Sequence, residues 1–126
     1  FGAFLCSQAV VSDMTEKKSG SILFTGATSS IRGRNGSVAF SSAKFGSRGL
    51  ADAMARELWP QGIHVAHIII DGLIDTAAAR ERFSPEPGEP MLKPDAMAES
   101  YWHLVTQDRS SWTFELDLRA GSETTR

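Results

Sequence analysis

The sequence predicts an α/β fold in which a parallel sheet is covered by helices on both faces. Three observations lead there. Helical and extended segments alternate along the 126 residues in the order α-β-α-β-α-α-β. The run Ile63-His-Val-Ala-His-Ile-Ile-Ile70 is β-branched and apolar on both faces, as strands are when helices cover a parallel sheet on both sides. Between the first strand and the next helix lies a loop rich in Gly, Ser and Thr, from Gly26 to Gly36, of the kind that joins such elements.

Taken in order, residues 2–17 carry Phe4, Leu5, Ala9, Val10, Val11 and Met14 at helical spacing, and Lys17, Lys18 and Gly20 stop that helix. Residues 21–25, Ser-Ile-Leu-Phe-Thr, form a short apolar strand. A second helix covers 38–58, where Val38, Ala43, Phe45, Leu50, Ala51, Met54, Ala55 and Leu58 give a broad apolar surface. Pro60 and Gly62 end it. After the strand at 63–70, Asp71-Gly72 makes a turn and Asp75 is expected to cap a short helix through Phe83. Residues 84–94 hold Pro85, Pro87, Pro90 and Pro94 and read as an irregular loop or lid. Pro94 then opens a helix through about Thr106. Residues 112–118 alternate like a last strand with one wet face, and 121–126 read as a frayed tail.

Composition excludes several function classes. Lysine and arginine number 13 against 15 acidic residues, so 13 − 15 gives a net charge of −2, and a nucleic-acid partner is not expected. The single cysteine, Cys6, allows no internal disulfide and no cysteine-built zinc site, and it reads as a small core residue. No apolar run approaches the ~18 residues of a membrane span. The opening residues lack the pattern of a secretory leader, so a cytoplasmic, reducing compartment is expected. His64 and His67 fall on opposite faces of one strand and cannot chelate one metal together, and His103 is remote from both. Arg32 and Arg34 read as residues of a solvated loop.

Ligands of open α/β sheets bind beyond the carboxyl ends of the strands. Here that region holds the 26–36 loop, the start of the 38–58 helix and residues 71–76. Within it lie three ordered blocks: Gly20-Ser-Ile-Leu-Phe-Thr-Gly26, Phe40-Ser-Ser-Ala-Lys44 and Asp71-Gly-Leu-Ile-Asp-Thr76. Together they resemble the C-terminal half of a short-chain dehydrogenase/reductase, over nearly the whole chain. The resemblance implies a Rossmann-like doubly wound sheet, NAD or NADP as cofactor, and a small carbonyl or alcohol as substrate. It also implies a homodimer or homotetramer formed through helices 2–17 and 38–58. By the same resemblance Lys44 holds the nicotinamide ribose, Ser29 or Ser30 supplies the site hydroxyl, with Ser29 preferred, and Asp71, Gly72, Ile74 and Thr76 line the cofactor. Ile74 would offer its N–H to the carboxamide, and Thr76 would bond a phosphate or the carboxamide.

Three departures from the family pattern bear on activity. Phe40 occupies the position of the tyrosine whose phenol exchanges a proton with the substrate oxygen, and a benzyl ring cannot do that. Removing a placed proton donor lowers a rate by about 10²–10⁴. Counting back from Phe40 by the family's spacing lands on Ala27, which has no hydroxyl, so a shorter loop must bring Ser29 or Ser30 in. Asp71 stands where the family has proline. A substitute donor would be Ser29, Ser42 or a water held by Lys44. Tyr101, the only tyrosine, reads as a packing residue on a late helix.

The Gly-rich strand-to-helix turn that cradles a dinucleotide's phosphates has no counterpart, since Gly33-Arg-Asn-Gly36 does not fit it. With three strands, an opening helix and no such turn, residues 1–126 read as a partial domain whose N-terminal dinucleotide-binding half is missing. The expected function is thus a fragment of an NAD(P)-dependent oxidoreductase with impaired or altered acid–base chemistry, inactive as this chain alone. The alternatives are a non-catalytic binding or scaffold relative and a truncated, inactive gene product.

Overall fold

The computed structural model describes residues 1–122. The element order is α1 (Gly2–Lys17), β1 (Gly20–Ala27), α2 (Val38–Leu58), β2 (Ile63–Ile70), α3 (Ala77–Phe83), α4 (Pro94–Val105) and β3 (Glu115–Leu118). The three strands are parallel in the order β1-β2-β3. Gly20 pairs with Ile63 and Ala27 with Ile70, while His67 faces Glu115 and Ile70 faces Leu118. The carboxyl ends of all three strands therefore lie level at one edge. The α/β class with a parallel sheet is as the sequence predicts.

All eight residues of β2 are buried, because both faces are covered. On one face Ile63 and Val65 meet Ala51, Ala55 and Leu58 of α2, together with Phe24 of β1 and Val11 and Met14 of α1. On the other face Ala66, Ile68 and Ile70 meet Leu104 of α4 and Leu92. Period-two alternation along β2 sends these two sets to opposite sides. Gly62 turns into β2 with φ 86°, a left-handed conformation, and a side chain there would strike the carbonyl of Lys18. Among the described residues, no helix is long and apolar enough to cross a membrane.

Several boundaries and faces differ from the sequence expectations. The first strand runs from Gly20 to Ala27, longer than 21–25, because each of its residues pairs with β2. The last strand is shorter than 112–118. Trp112 instead stacks on His64 with ring centroids 4.5 Å apart, and the N–H of Thr113 bonds the side chain of Gln107. Thr76, not Asp75, caps α3, its hydroxyl accepting from the N–H of Ala79 at 3.1 Å. Asp75 is held by Arg80 instead, at 2.7 Å. Cys6 is exposed, not a core residue. Helix α1 turns Ala3, Ser7, Val11 and Met14 inward, which leaves Phe4, Leu5 and Val10 in contact with water. Of the tail expected to fray, residues 123–126 lie outside the described residues.

Candidate active site at the carboxyl edge of the sheet

Because Ala27 and Ile70 are register partners, the chain leaving β1 and the chain leaving β2 run side by side. A hydrogen bond clamps them together: the Thr28 hydroxyl donates to Asp71 Oδ1 at 2.6 Å. Asp71 is 4% exposed, its N–H bonds the carbonyl of Leu118, and Arg119 Nε lies 3.6 Å from its second carboxylate oxygen. An acidic side chain can be buried here because a hydroxyl and a guanidinium compensate it.

The two serines of the first loop separate. Ser30 is fully buried, and its hydroxyl accepts from the N–H of Ala27 at 3.0 Å, closing a single 3₁₀ turn at Thr28–Ser30. Ser29, beside it, lines a cavity of about 680 Å³. Phe40 enters that cavity from the first turn of α2 and is 52% exposed. Asp71, Gly72, Ile74 and Thr76 close it from below. Six of the seven residues expected at the site thus share one cavity.

Lys44 is the seventh, and it points elsewhere. Its Nζ donates to the carbonyl of Thr25 at 3.1 Å and lies 5.6 Å from the centroid of the Phe40 ring. It borders a second cavity of about 490 Å³, between α1 and the outer edge of β1. Thr25 is tied in turn to Tyr101 by a hydroxyl–hydroxyl hydrogen bond of 2.7 Å. Ser42 lies on the far side of α2, in a groove with Phe1 and Phe4, away from the site.

The loop after β2 is braced by a bridge between Ile74 and Leu92. Leu92 donates to the carbonyl of Leu73, and Asp75 donates to the carbonyl of Leu92. The N–H of Ile74 takes no part in that bridge. Thr76 uses its oxygen lone pair as a cap and keeps its hydroxyl proton for another acceptor.

Beneath the Ser29 turn lies a charged layer that sequence reasoning missed. Arg48 of α2 forms two hydrogen bonds with Glu115 of β3, at 2.6 and 3.2 Å. Glu115 Oε2 also meets Nδ1 of the fully buried His67 at 3.0 Å. The hydrogen bond from Arg48 holds the Glu115 carboxyl below the usual carboxylate range. Burial pushes the His67 imidazole down, outweighing the opposing pull of Glu115. The neutral ring then carries its proton on Nδ1, towards the carboxylate. Its bare Nε2 has no hydrogen-bond partner among the described residues and is aimed at Gly26. A Cβ on residue 26 would run into His67 Nε2 and the Ser30 hydroxyl, so only glycine fits. No local signal marked Arg48 or Thr28. An aspartate at the end of an otherwise apolar run is the one sequence feature that could have marked Asp71 as a buried, compensated carboxylate.

Comparison with known proteins places the fold in a family. The profile of the short chain dehydrogenase family matches residues 1–87. The chain belongs to that family. It is 34% identical over 115 residues to the BbsD subunit of (2S)-[(R)-hydroxy(phenyl)methyl]succinyl-CoA dehydrogenase from Thauera aromatica, covering 85% of this chain and 46% of that protein. The structure of a short-chain dehydrogenase from Rhodopseudomonas palustris is 42% identical, with a TM-score of 0.72, over 93% of this chain and 46% of that one. A 4-hydroxyisoleucine dehydrogenase complexed with NADH shares the fold, at a TM-score of 0.76 and 24% identity, over 94% of this chain and 53% of that one. The chain spans less than half the length of the curated relatives it matches.

Proposed function

We propose that these residues form the substrate-facing part of an NAD(P)-dependent oxidoreductase for a small carbonyl or alcohol. In this reading the chain corresponds to the part of the family fold that follows the dinucleotide loop. It belongs to a subgroup in which Phe40 replaces the proton-donating tyrosine. The observation that carries the reading is the convergence of Ser29, Phe40, Asp71, Gly72, Ile74 and Thr76 on one cavity at the carboxyl edge of the sheet.

The nicotinamide end of the cofactor fits the residues present. The N–H of Ile74 is left over from its bridge, and the Thr76 hydroxyl retains a proton to donate. Those two groups would hold the carboxamide or a phosphate, with Gly72 allowing close approach. Lys44 would reach the ribose only by leaving the Thr25 carbonyl. When bound, the nicotinamide gives or takes a hydride. The chain's own contribution is to orient the substrate oxygen at the Ser29 hydroxyl. Ser42 and Lys44, on which the other candidate donors depend, do not line that cavity.

The test is fluorescence titration of the protein with NADH, NADPH and reduced nicotinamide mononucleotide. Saturable binding of at least the mononucleotide is expected, and binding of none of the three overturns the reading. A second reading, a non-catalytic scaffold, is favoured by Phe40 together with the commitment of Lys44 to Thr25. Phe40→Tyr separates the two: a rise in carbonyl reduction of about 10²–10⁴ indicates a site lacking only its proton donor. No rise favours the scaffold. The exposed Phe4, Leu5 and Val10 of α1 and Val38 and Phe45 of α2 support self-association through these helices. The solitary cysteine suits a reducing, cytoplasmic setting.

A further inference from the structure

The cavity that holds Ser29 is unevenly lined. Much of its wall is apolar: Phe40, Ile70, Leu73, Ile74 and Phe83. Phe40 and Phe83 are each more than half exposed, so apolar surface faces water at its mouth. Two residues with charged side chains line it. The Asp71 carboxylate is nearly buried, receives the Thr28 hydroxyl and lies near Arg119. The other is Arg34, whose guanidinium makes no hydrogen bond or ion pair among the described residues. Only its backbone carbonyl is engaged, by the N–H of Ser37. Arg32, two residues earlier on the same loop, does not border the cavity.

A guanidinium at the edge of an apolar cavity matches a ligand with an apolar body and a carboxylate or phosphate group. The volume of about 680 Å³ lies within the range of small-molecule sites. We propose that Arg34 is the specificity-determining residue of this site and selects an apolar hydroxy- or oxo-acid, pairing with its anionic end. The proposal rests on the oxidoreductase reading only for calling that ligand a substrate. The same anion chemistry could come from a nicotinamide nucleotide's phosphate, and the test distinguishes the two.

The test titrates the isotope-labelled protein with 3-hydroxyoctanoate and 3-hydroxyoctanamide at low salt, following amide NMR shifts. The carboxylate is expected to bind about tenfold tighter than the amide, as one charge-assisted hydrogen bond allows. Shifts should centre on Phe40, Ile74 and Phe83. Arg34→Gln should erase that preference and leave the amide's affinity and the melting temperature unchanged, while Arg32→Gln should retain it. Equal binding of acid and amide, no binding of the acid, or the same loss from Arg32→Gln overturns the proposal. Reduced nicotinamide mononucleotide forms the second arm. If Arg34→Gln weakens the mononucleotide and not the acid, the anion belongs to the cofactor and substrate selection is refuted. Acid binding through Arg34 without any nucleotide binding supports the anion site and overturns the oxidoreductase reading instead.

Discussion

At residue 67 a fully buried imidazole faces Glu115 through one nitrogen and Gly26 through the other. The glycine is the tighter constraint. Gly26→Ala would drive a methyl group against His67 Nε2 and the Ser30 hydroxyl, neither of which is the free end of a flexible chain. We expect a loss of about 1–3 kcal/mol in urea unfolding, typical of an overfilled core. The imidazole itself predicts a pH dependence. Burial makes the folded ring a weaker base than the unfolded ring, whose ordinary value is about 6.5. As pH falls below that value, the unfolded chain binds a proton that the folded chain refuses. The stability present above it is therefore lost below it. Glu115 of β3 favours the protonated ring, whereas Arg48 and Lys44 of α2 oppose it. Melting temperature should drop from pH 7 to pH 5, before the carboxylates titrate. His67→Gln should flatten that drop. An equal drop in the variant would assign it to other groups.

Among the elements, α2 and β2 were legible to the residue, and α1 was legible in extent but not in orientation. Strand β2 needs no orientation, since all eight of its residues are buried. Helix α2 carries Ala51, Ala55 and Leu58 inward at the spacing its pattern predicts. In α1 the large apolar Phe4, Leu5 and Val10 remain in contact with water, spread around the helix and not along one stripe. Small Ala3 and Ser7 face in, because α1 must lie close against β1 and α2. Size complementarity chose the inner face, and hydrophobic periodicity does not report size. These exposed apolar side chains then predict association. Sedimentation velocity should show mass rising with concentration. Phe4→Glu with Val10→Glu should return the protein to a monomer with helix content unchanged. A protein monomeric at every concentration without these changes would contradict this.

For the whole molecule, the convergence of candidate residues on one cavity was legible where topology alone could bring them together. A parallel sheet brings the ends of β1 and β2 to one edge, so Ser29, Gly72 and Thr76 come together from their order in the chain, whereas Phe40, Asp71 and Ile74 were expected from the family resemblance. The pairs that brace the site were not legible. Thr28 and Asp71 are 43 residues apart, and Arg48 and Glu115 are 67 apart, so no local spacing announces either. The same topology leaves β1 at the end of the sheet, with a second strand on one side only among the described residues. Alternate amides of a parallel strand point to opposite neighbours, so half of those in β1 face away from β2. An edge of this kind, containing Ile22, Leu23 and Phe24, invites pairing with another chain. Hydrogen exchange reads this directly. In dilute protein, protection along Gly20–Ala27 should alternate residue by residue, slow towards β2 and fast on the open side. At higher concentration it should become uniformly slow if chains pair there. Alternation that persists at every concentration, with a cooperative monomeric melt, would show that this edge is stable in water by itself.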